Sequence, residues 1–318
     1  MKRTNPLPSI AVIGAGLMGR QHARVISTST QALLAGIVDT DATIANQVAE
    51  QFGCPSATSI DGIRDADAVV IATPTATHTS IAMEVIDAGL PLLVEKPIAT
   101  TLDDTLSVLE HARSNDTPLL CGFVERFNPA IVTLGGLVDE TIIHWLSHRH
   151  SPRNSRIQTG VAEDLLIHDL DLVLRFWGNS PTMVSASSWI SPDSQLEEVV
   201  DVSLDFGDGV ATLSANRWGQ RKVRTLAVYT DSRLYEVDLL RQFITVYRSQ
   251  RQEGDGASFR EETLIDIPFI QHRGEPLSLQ LDRFIELIMG ADASEEIDSV
   301  IGPHLLLNRI ADHTATSS

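Results

Sequence analysis

The chain predicts an α/β protein with two parts: a doubly wound parallel sheet at the N-terminus, then an α+β domain with a large, mostly antiparallel, open-faced sheet. Three observations carry this expectation. Short, wholly apolar runs alternate with amphipathic helical stretches over about the first 120 residues, the pattern of a parallel sheet covered on both faces. The run Gly14-Ala15-Gly16-Leu17-Met18-Gly19 joins the first apolar segment to the first helical one. After Phe127 the rhythm changes to period-two segments separated by hairpin turns. The expected domains are residues 1–124 and 125–318, with the last helix packing back on the first.

Each element has a local reason. A strand is expected over 10–13 and a helix from Leu17 to about residue 27. A strand over 33–38 leads to a helix over 42–52, and Gly53 suits its C-terminal cap. Residues 68–72 read as a buried strand, followed by a helix over 77–88 stopped by Gly89 and a strand over 91–94. Thr101 followed by Asp104 resembles a capping box opening a helix to about residue 115, and 118–122 closes the series. The second part has a helical stretch over 128–138, then strands over 142–150, 183–190, 199–206, 210–216, 223–229, 234–237 and 243–247. Gly207-Asp208-Gly209 and Asp231-Ser232 are the turns, 249–262 reads as a polar loop, and helices over 278–289 and 299–312 finish the chain.

Bulk properties narrow the function classes. At 318 residues the chain can form two cored domains, and 43% hydrophobic with 21% charged residues is ordinary for a soluble protein. A net charge of -18 argues against a nucleic-acid or anionic-membrane surface, which needs a basic face. Local arginines can still serve an anionic ligand. Cys54 and Cys121 have neither metal nor redox spacing, so the cytoplasm is the expected setting. No signal segment and no bilayer-length apolar run is evident.

The glycine run has the context that a dinucleotide (Rossmann) site requires: a strand before, a helix after, and an acidic residue, Asp39, ending the next strand. Gly14 suits the tight turn, Gly16 the approach of the pyrophosphate, and Gly19 the packing of the helix on the sheet. The helix start at Leu17 and Met18 offers N–H groups to phosphate. Asp39 suits the ribose hydroxyls and would repel a 2′-phosphate, so NAD is expected over NADP. Thr73, Pro74 and His78 follow the next long strand and are expected to line the nicotinamide end, with a surface-helix position as the competing reading for His78.

Asp164, His168, Asp171 and Arg175 recur at one helical stripe on a segment otherwise rich in Leu, Ile and Val. Asp171 and Arg175 read as an internal ion pair. Asp164 and His168 read as functional because Lys96 stands at the end of an apolar strand in the cofactor domain. Oxidising a secondary alcohol needs removal of a hydride from carbon and a proton from oxygen. His168 is the natural base, Asp164 can fix its tautomer, and Lys96 can stabilise an alkoxide. Lys96 can itself accept the proton if desolvated, and the residue types permit both roles.

The run Gly14 to Gly19, Glu95-Lys96-Pro97, Gly122-Phe123-Val124-Glu125-Arg126-Phe127-Asn128-Pro129, and the spacing of Gly160, Asp164, His168 and Asp171 occur in order. Together they resemble the glucose–fructose oxidoreductase / inositol dehydrogenase (Gfo/Idh/MocA) family. The resemblance implies that Lys96, Asp164 and His168 are catalytic and that Glu95 and Lys96 touch the nicotinamide ribose. It implies no metal and points to a homodimer or homotetramer.

Within that family, the stretch from Val124 to Ala130, Arg156 before Gly160-Val161, and Glu275-Pro276-Leu277 are similar to UDP-N-acetylglucosamine 3-dehydrogenases. This implies Arg126, Asn128, Arg153 and Arg156 as substrate-binding candidates, the last two facing a diphosphate. The stretch before Arg156 departs from the subgroup's pattern, so a free sugar or cyclitol stays open. His144, His148 and His150 share one strand face and read as a sheet-face or oligomer cluster, not a metal site. Arg217, Arg221, Lys222 and Arg224 read as a hairpin end. The competing class is a non-catalytic NAD-binding regulator, which would need neither Lys96 nor His168.

Overall fold

In a computed structural model of the chain, which describes residues 7–63, 65–153, 157, 159–253, 259–270 and 274–316, the early apolar runs form six parallel strands. These are β1 (Ser9–Ile13), β2 (Leu33–Val38), β3 (Ser56–Ala57), β4 (Ala68–Ile71), β5 (Leu92–Val94) and β6 (Leu119–Cys121), in the order β3-β2-β1-β4-β5-β6. Helices α1 (Leu17–Thr28), α2 (Ala42–Phe52), α3 (His78–Asp87) and α4 (Leu102–Ser114) connect them. The caps follow local chemistry. Asp41 accepts from the N–H groups of Thr43 and Ile44 at the start of α2, and Gly53 ends it in the left-handed region. Because β1 lies between β2 and β4, chain order reverses there. A crevice outside the strand C-termini at such a switch point is where ligands bind in open parallel sheets.

The second sheet has eight strands, β7 (His144–His150), β8 (Met183–Ile190), β9 (Glu197–Asp205), β10 (Val210–Asn216), β11 (Val223–Tyr229), β12 (Arg233–Asp238), β13 (Phe243–Glu253) and β14 (Phe259–Asp266). Their order is β14-β13-β12-β11-β7-β10-β9-β8, and every pair is antiparallel except β7 with β10. Helices α5 (Pro129–Gly135) and α6 (Ile167–Trp177) belong with this sheet. Strand alternation sends Trp145, Val202, Leu204, Leu213 and Val228 to one face, where they form a core with Leu166, Leu170 and Val173. The expected loop over 249–262 is corrected: β13 runs on to Glu253 and β14 begins at Phe259, with Ser249 opposite Thr263. Backbone ladders form regardless of side-chain polarity, so an apolar-pattern search passes over such a hairpin.

The remaining helices are α7 (Pro276–Ile288) and α8 (Ser294–Thr316). The chain divides into two compact units, residues 1–124 with 275–304, and residues 125–274 with 305–318. A contiguous second domain over 125–318 therefore differs from this partition by the stretch Glu275–His304. Leu277, Leu281 and Phe284 bury the apolar side of α7, and Arg24 of α1 donates to Glu275.

A buried charge cluster organises the second unit. Arg149 donates through Nε and Nη2 to the Asp169 carboxylate at 2.8 and 3.0 Å, and through Nη1 to Glu125 at 2.8 Å. Arg224 donates to the same Glu125 oxygen at 3.1 Å. Burial alone would push the Glu125 carboxyl up, but the Arg149 and Arg224 guanidiniums outweigh it and hold the carboxyl below its ordinary value. Arg149→Met leaves two buried carboxylates short of their cation, and we expect a loss of about 3–5 kcal/mol, read as a lower midpoint in urea. Since the folded value of Glu125 is depressed, its contribution is present above the ordinary carboxyl value of 4.5 and is lost as pH falls through the lower folded value. An unchanged midpoint at pH 7 would refute the assignment.

Candidate active site

In the first unit, β1 delivers the chain into a loop that only glycine can form. Gly14 has φ of +98°, and a Cβ there would stand 2.6 Å from the Ala72 carbonyl. A Cβ at Gly19 would stand 1.7 Å from the Gly14 carbonyl oxygen. Gly19 thus lets the helix pack on the loop itself more than on the sheet. At Gly16 a Cβ would meet nothing within 4 Å. Helix α1 starts there without a side-chain cap or an acidic first turn, so its first N–H groups lack intrahelical partners. Leu17 is 76% exposed at this helix start. Open space, N–H donors and a positive helix end fit a pyrophosphate.

Asp39 ends β2 beside this loop. Its carboxylate accepts from the Ala15 and Asp41 N–H groups at 2.8 and 3.0 Å. Two oxygens offer about four acceptor sites, so Asp39 shapes the loop and keeps capacity for ribose hydroxyls. Thr73 and Pro74 follow β4, and the Thr77 hydroxyl lies on both the Thr73 hydroxyl and the Pro74 carbonyl at 2.8 Å.

His78 does not take the surface-helix position of the competing reading. It is buried, and its ring nitrogens lie 2.9 Å from the carbonyls of Thr73 and Pro97. The ring therefore ties the loop after β4 to the loop that carries Lys96. The Glu95 carboxylate faces His22 at 2.7 Å, seated so closely on Gly122 that a Cβ there would come within 2.7 Å. On the other side, His304 accepts from the Ile98 N–H at 3.1 Å. Half-buried Lys96 is thus held in a loop pinned by three histidines. His22 and His304 escaped the sequence reading. For His22 the one signal was a polar residue among the buried positions Gly19, Ala23, Val25 and Ile26 of α1.

In the second unit, a wide π-helical turn, Ala162–Leu166, precedes α6. Such turns are rare and cluster at functional sites. Asp164 lies in it and His168 in the first turn of α6, so the single α-helical stripe expected from Asp164 onward is broken before His168. His168 is buried and Asp164 partly exposed. Arg217 donates to Asp164 in this turn at 3.0 Å. Sequence reading had left Arg217 in a basic hairpin end.

Several other expectations are corrected. Asp171 pairs with Arg126, whose Nε lies 3.0 and 2.9 Å from its two oxygens, a partner not expected from the sequence. Arg126 is thereby engaged by the helix that carries His168. Asn128 is buried too: it caps α5 by accepting from the Ala130 N–H and donates to Glu125 and the Leu239 carbonyl. Arg153 stacks over Trp218 at 4.4 Å and lies 3.8 Å from Asp193. Arg156 lies outside the described residues.

His144 stacks on Tyr229 at 5.6 Å, and His148 meets His150 edge-on at 5.7 Å. Burial, with His148 beside it, lowers the His150 value below the ordinary imidazole range. Among the described residues no group of three His, Cys, Asp or Glu is placed to hold a metal, and no helix is long and apolar enough to cross a membrane.

A Rossmann sheet with this glycine loop and Asp39 defines an NAD-binding domain, and the second unit supplies a helix bearing an acid and an imidazole. Residues 9–123 match the oxidoreductase family Gfo/Idh/MocA, described by its NAD-binding Rossmann fold. A UDP-N-acetylglucosamine 3-dehydrogenase of Acidithiobacillus ferrooxidans is 28% identical over 298 residues, 93% of each chain. The solved structure of that organism's UDP-N-acetylglucosamine 3-dehydrogenase GnnA superposes with a TM-score of 0.86 at 25% identity, covering 98% of this chain and 99% of that one. An inositol 2-dehydrogenase of Acidothermus cellulolyticus is 34% identical over 176 residues, 52% of each chain. The N-terminal domain is that of the Gfo/Idh/MocA family, and the chain is an NAD-binding oxidoreductase.

Asp39→Ala should narrow the gap between NAD and NADP affinities, because it removes the charge that opposes a 2′-phosphate. Titration by nicotinamide fluorescence measures this. Equal affinity for both cofactors in the unmutated protein would sink the role given to Asp39.

Proposed function

We propose that the chain transfers a hydride between NAD and a secondary alcohol carbon of a nucleotide sugar, with Lys96, Asp164 and His168 as catalytic residues. The observation that carries the reading is likeness to a UDP-N-acetylglucosamine 3-dehydrogenase over 93% of both chains, a span that takes in both units. A second reading, a free sugar or cyclitol as substrate, is favoured by 34% identity to an inositol 2-dehydrogenase over 52% of the chain. In either case the first unit holds the cofactor through Gly14, Gly16, Leu17, Met18, Gly19 and Asp39, and the second holds the substrate. The two cysteines, neither of them in a disulfide, suit a cytoplasmic setting.

A nicotinamide held at the glycine loop and Asp39 would supply the hydride acceptor for the alcohol carbon, or the hydride donor for a ketone. The protein handles the proton. His168 takes it from the hydroxyl as the carbon–oxygen bond gains double-bond character. The Asp164 carboxylate favours the imidazolium so formed. The Lys96 ammonium stabilises the developing alkoxide and polarises the carbonyl in the reverse direction. Its loop, pinned through His78, His22 and His304, limits the positions the ammonium can take.

His168→Ala and Lys96→Met should each keep NAD binding and lose turnover by about 10²–10⁴-fold, the range for acid–base groups. Asp164→Asn should lose less. The assay is NADH absorbance at 340 nm in a screen of UDP-sugars, free sugars and inositols. Near-full activity of the His168 variant would overturn the assignment of the base.

The second unit also supports a homo-oligomer. The sheet face away from α6 presents Leu146, Tyr229 and Phe243 around a hollow of about 470 Å³, and Val210 adds to this apolar area. Such a face suits a symmetric contact between copies. Light scattering should report a multiple of the 34.6 kDa chain mass. A monomer at micromolar concentration would exclude this association.

A further inference from the structure

The turn that carries Asp164 is gripped from two strands. Arg217 follows β10 and continues its buried side, on which Ala211, Leu213 and Ala215 also lie. It is 1% exposed. One guanidinium nitrogen donates to the Thr159 carbonyl at 2.7 Å, and the other to the Gly160 carbonyl at 3.2 Å and to Asp164 Oδ2 at 3.0 Å. From β9, the Glu197 carboxylate accepts from the Ala162 N–H at 3.1 Å. Burial, with Glu163 nearby, pushes the Glu197 carboxyl up.

The geometry is asymmetric in a telling way. The Arg217 side chain is 2% exposed but that of Asp164 is 27% exposed. The carboxylate is held from within while part of it reaches open space. Burying a guanidinium is costly, and an apolar side chain would pack the same place at less cost. A planar fork that binds two carbonyls and a carboxylate together does what no apolar residue, and no ammonium, can do.

We infer that Arg217 is a positioning residue for the dehydrogenase reaction: it fixes the orientation and charge of the Asp164 carboxylate at the entrance to α6. The inference rests on the proposed catalytic roles of Asp164 and His168. The titratable and charged groups around this turn are Glu163 and His168 on its own helical segment, Glu197 and Glu198 from β9, and Arg217 from β10. Removing the cation raises the titration of both a neighbouring carboxyl and a neighbouring imidazole, so both effects act in the same direction.

The test uses the full chain with NAD, following NADH at 340 nm with UDP-N-acetylglucosamine, and with myo-inositol if the screen selects the cyclitol. Arg217→Met should lower kcat by about 10²-fold, the scale of a small misplacement. KM should stay within about threefold of the unmutated value. The acid limb of kcat/KM against pH should move up by about one unit. Arg217→Lys, which keeps the charge without the fork, should restore part of the rate and most of the limb. NADH fluorescence titration should be the same in both variants.

A folded Arg217→Met protein with unchanged kcat and pH profile overturns the inference, as does Arg217→Lys no better than Met. If the Met variant does not fold, Arg217→Lys is combined with Asp164→Asn. A double variant no worse than Asp164→Asn alone supports the coupling, and additive losses overturn it. Full activity of both Asp164→Asn and His168→Ala overturns the catalytic reading itself. Loss in those two with an unaffected Arg217→Met overturns only the role of Arg217.

Discussion

A guanidinium as deeply buried as that of Arg149 must be matched by carboxylates, and much of the second unit follows from that requirement. The two that meet it, Glu125 and Asp169, come from a short 3-10 turn and from α6. Neither could leave without stranding a charge in the core. Because Asp169 is drawn to the sheet, α6 has one allowed rotation about its axis. His168, one residue earlier, is then set about 100° away around the helix. The direction of an imidazole is thus decided by an ion pair that takes no part in chemistry. Asp171 with Arg126, on the same helix, adds a second lock.

The first unit achieves a comparable result by different means. There the fixed object is a loop, and the locks are imidazole rings placed on backbone groups and on one carboxylate. His78 and His304 act on the peptide groups following Lys96, and His22 acts on the side chain preceding it. The glycine loop is fixed by contact as well as by the Asp39 hydrogen bond to Ala15, since Gly14 and Gly19 leave no volume for a methyl group. Each unit therefore presents a preset part, and precision within a part is a matter of burial and hydrogen bonding.

What could be read from the amino-acid order was what depends on near neighbours. Strands β2, β8, β10 and β11 and helix α2 have the bounds their hydrophobic periods suggest. The glycine loop was legible because strained backbone demands specific residues within a few positions. Side-chain partners were not. Arg126 and Asn128 looked like ligand contacts until Asp171 and Leu239 were seen beside them, 45 and 111 positions away. The partners of His78 and Glu95 were hidden in the same way. The π-helical turn is invisible in a spacing of four, since Asp164 and His168 keep that spacing in either helix type. Strand β14 has no apolar alternation to announce it, and β3 is two residues long.

The partition of the chain has a consequence for its synthesis. The stretch Glu275–His304 belongs with the unit begun by residues 1–124. A chain emerging from the ribosome therefore holds every strand of the second sheet before the first unit has α7 to pack on α1. At translation rates of about 5–20 residues per second, the intervening 150 residues take roughly eight to thirty seconds. During that interval the α1 surface destined for α7 stays uncovered, and nascent-chain chaperones have a defined window in which to hold it. The usual order, in which the N-terminal unit is finished first, is reversed in this protein by the returning stretch Glu275–His304.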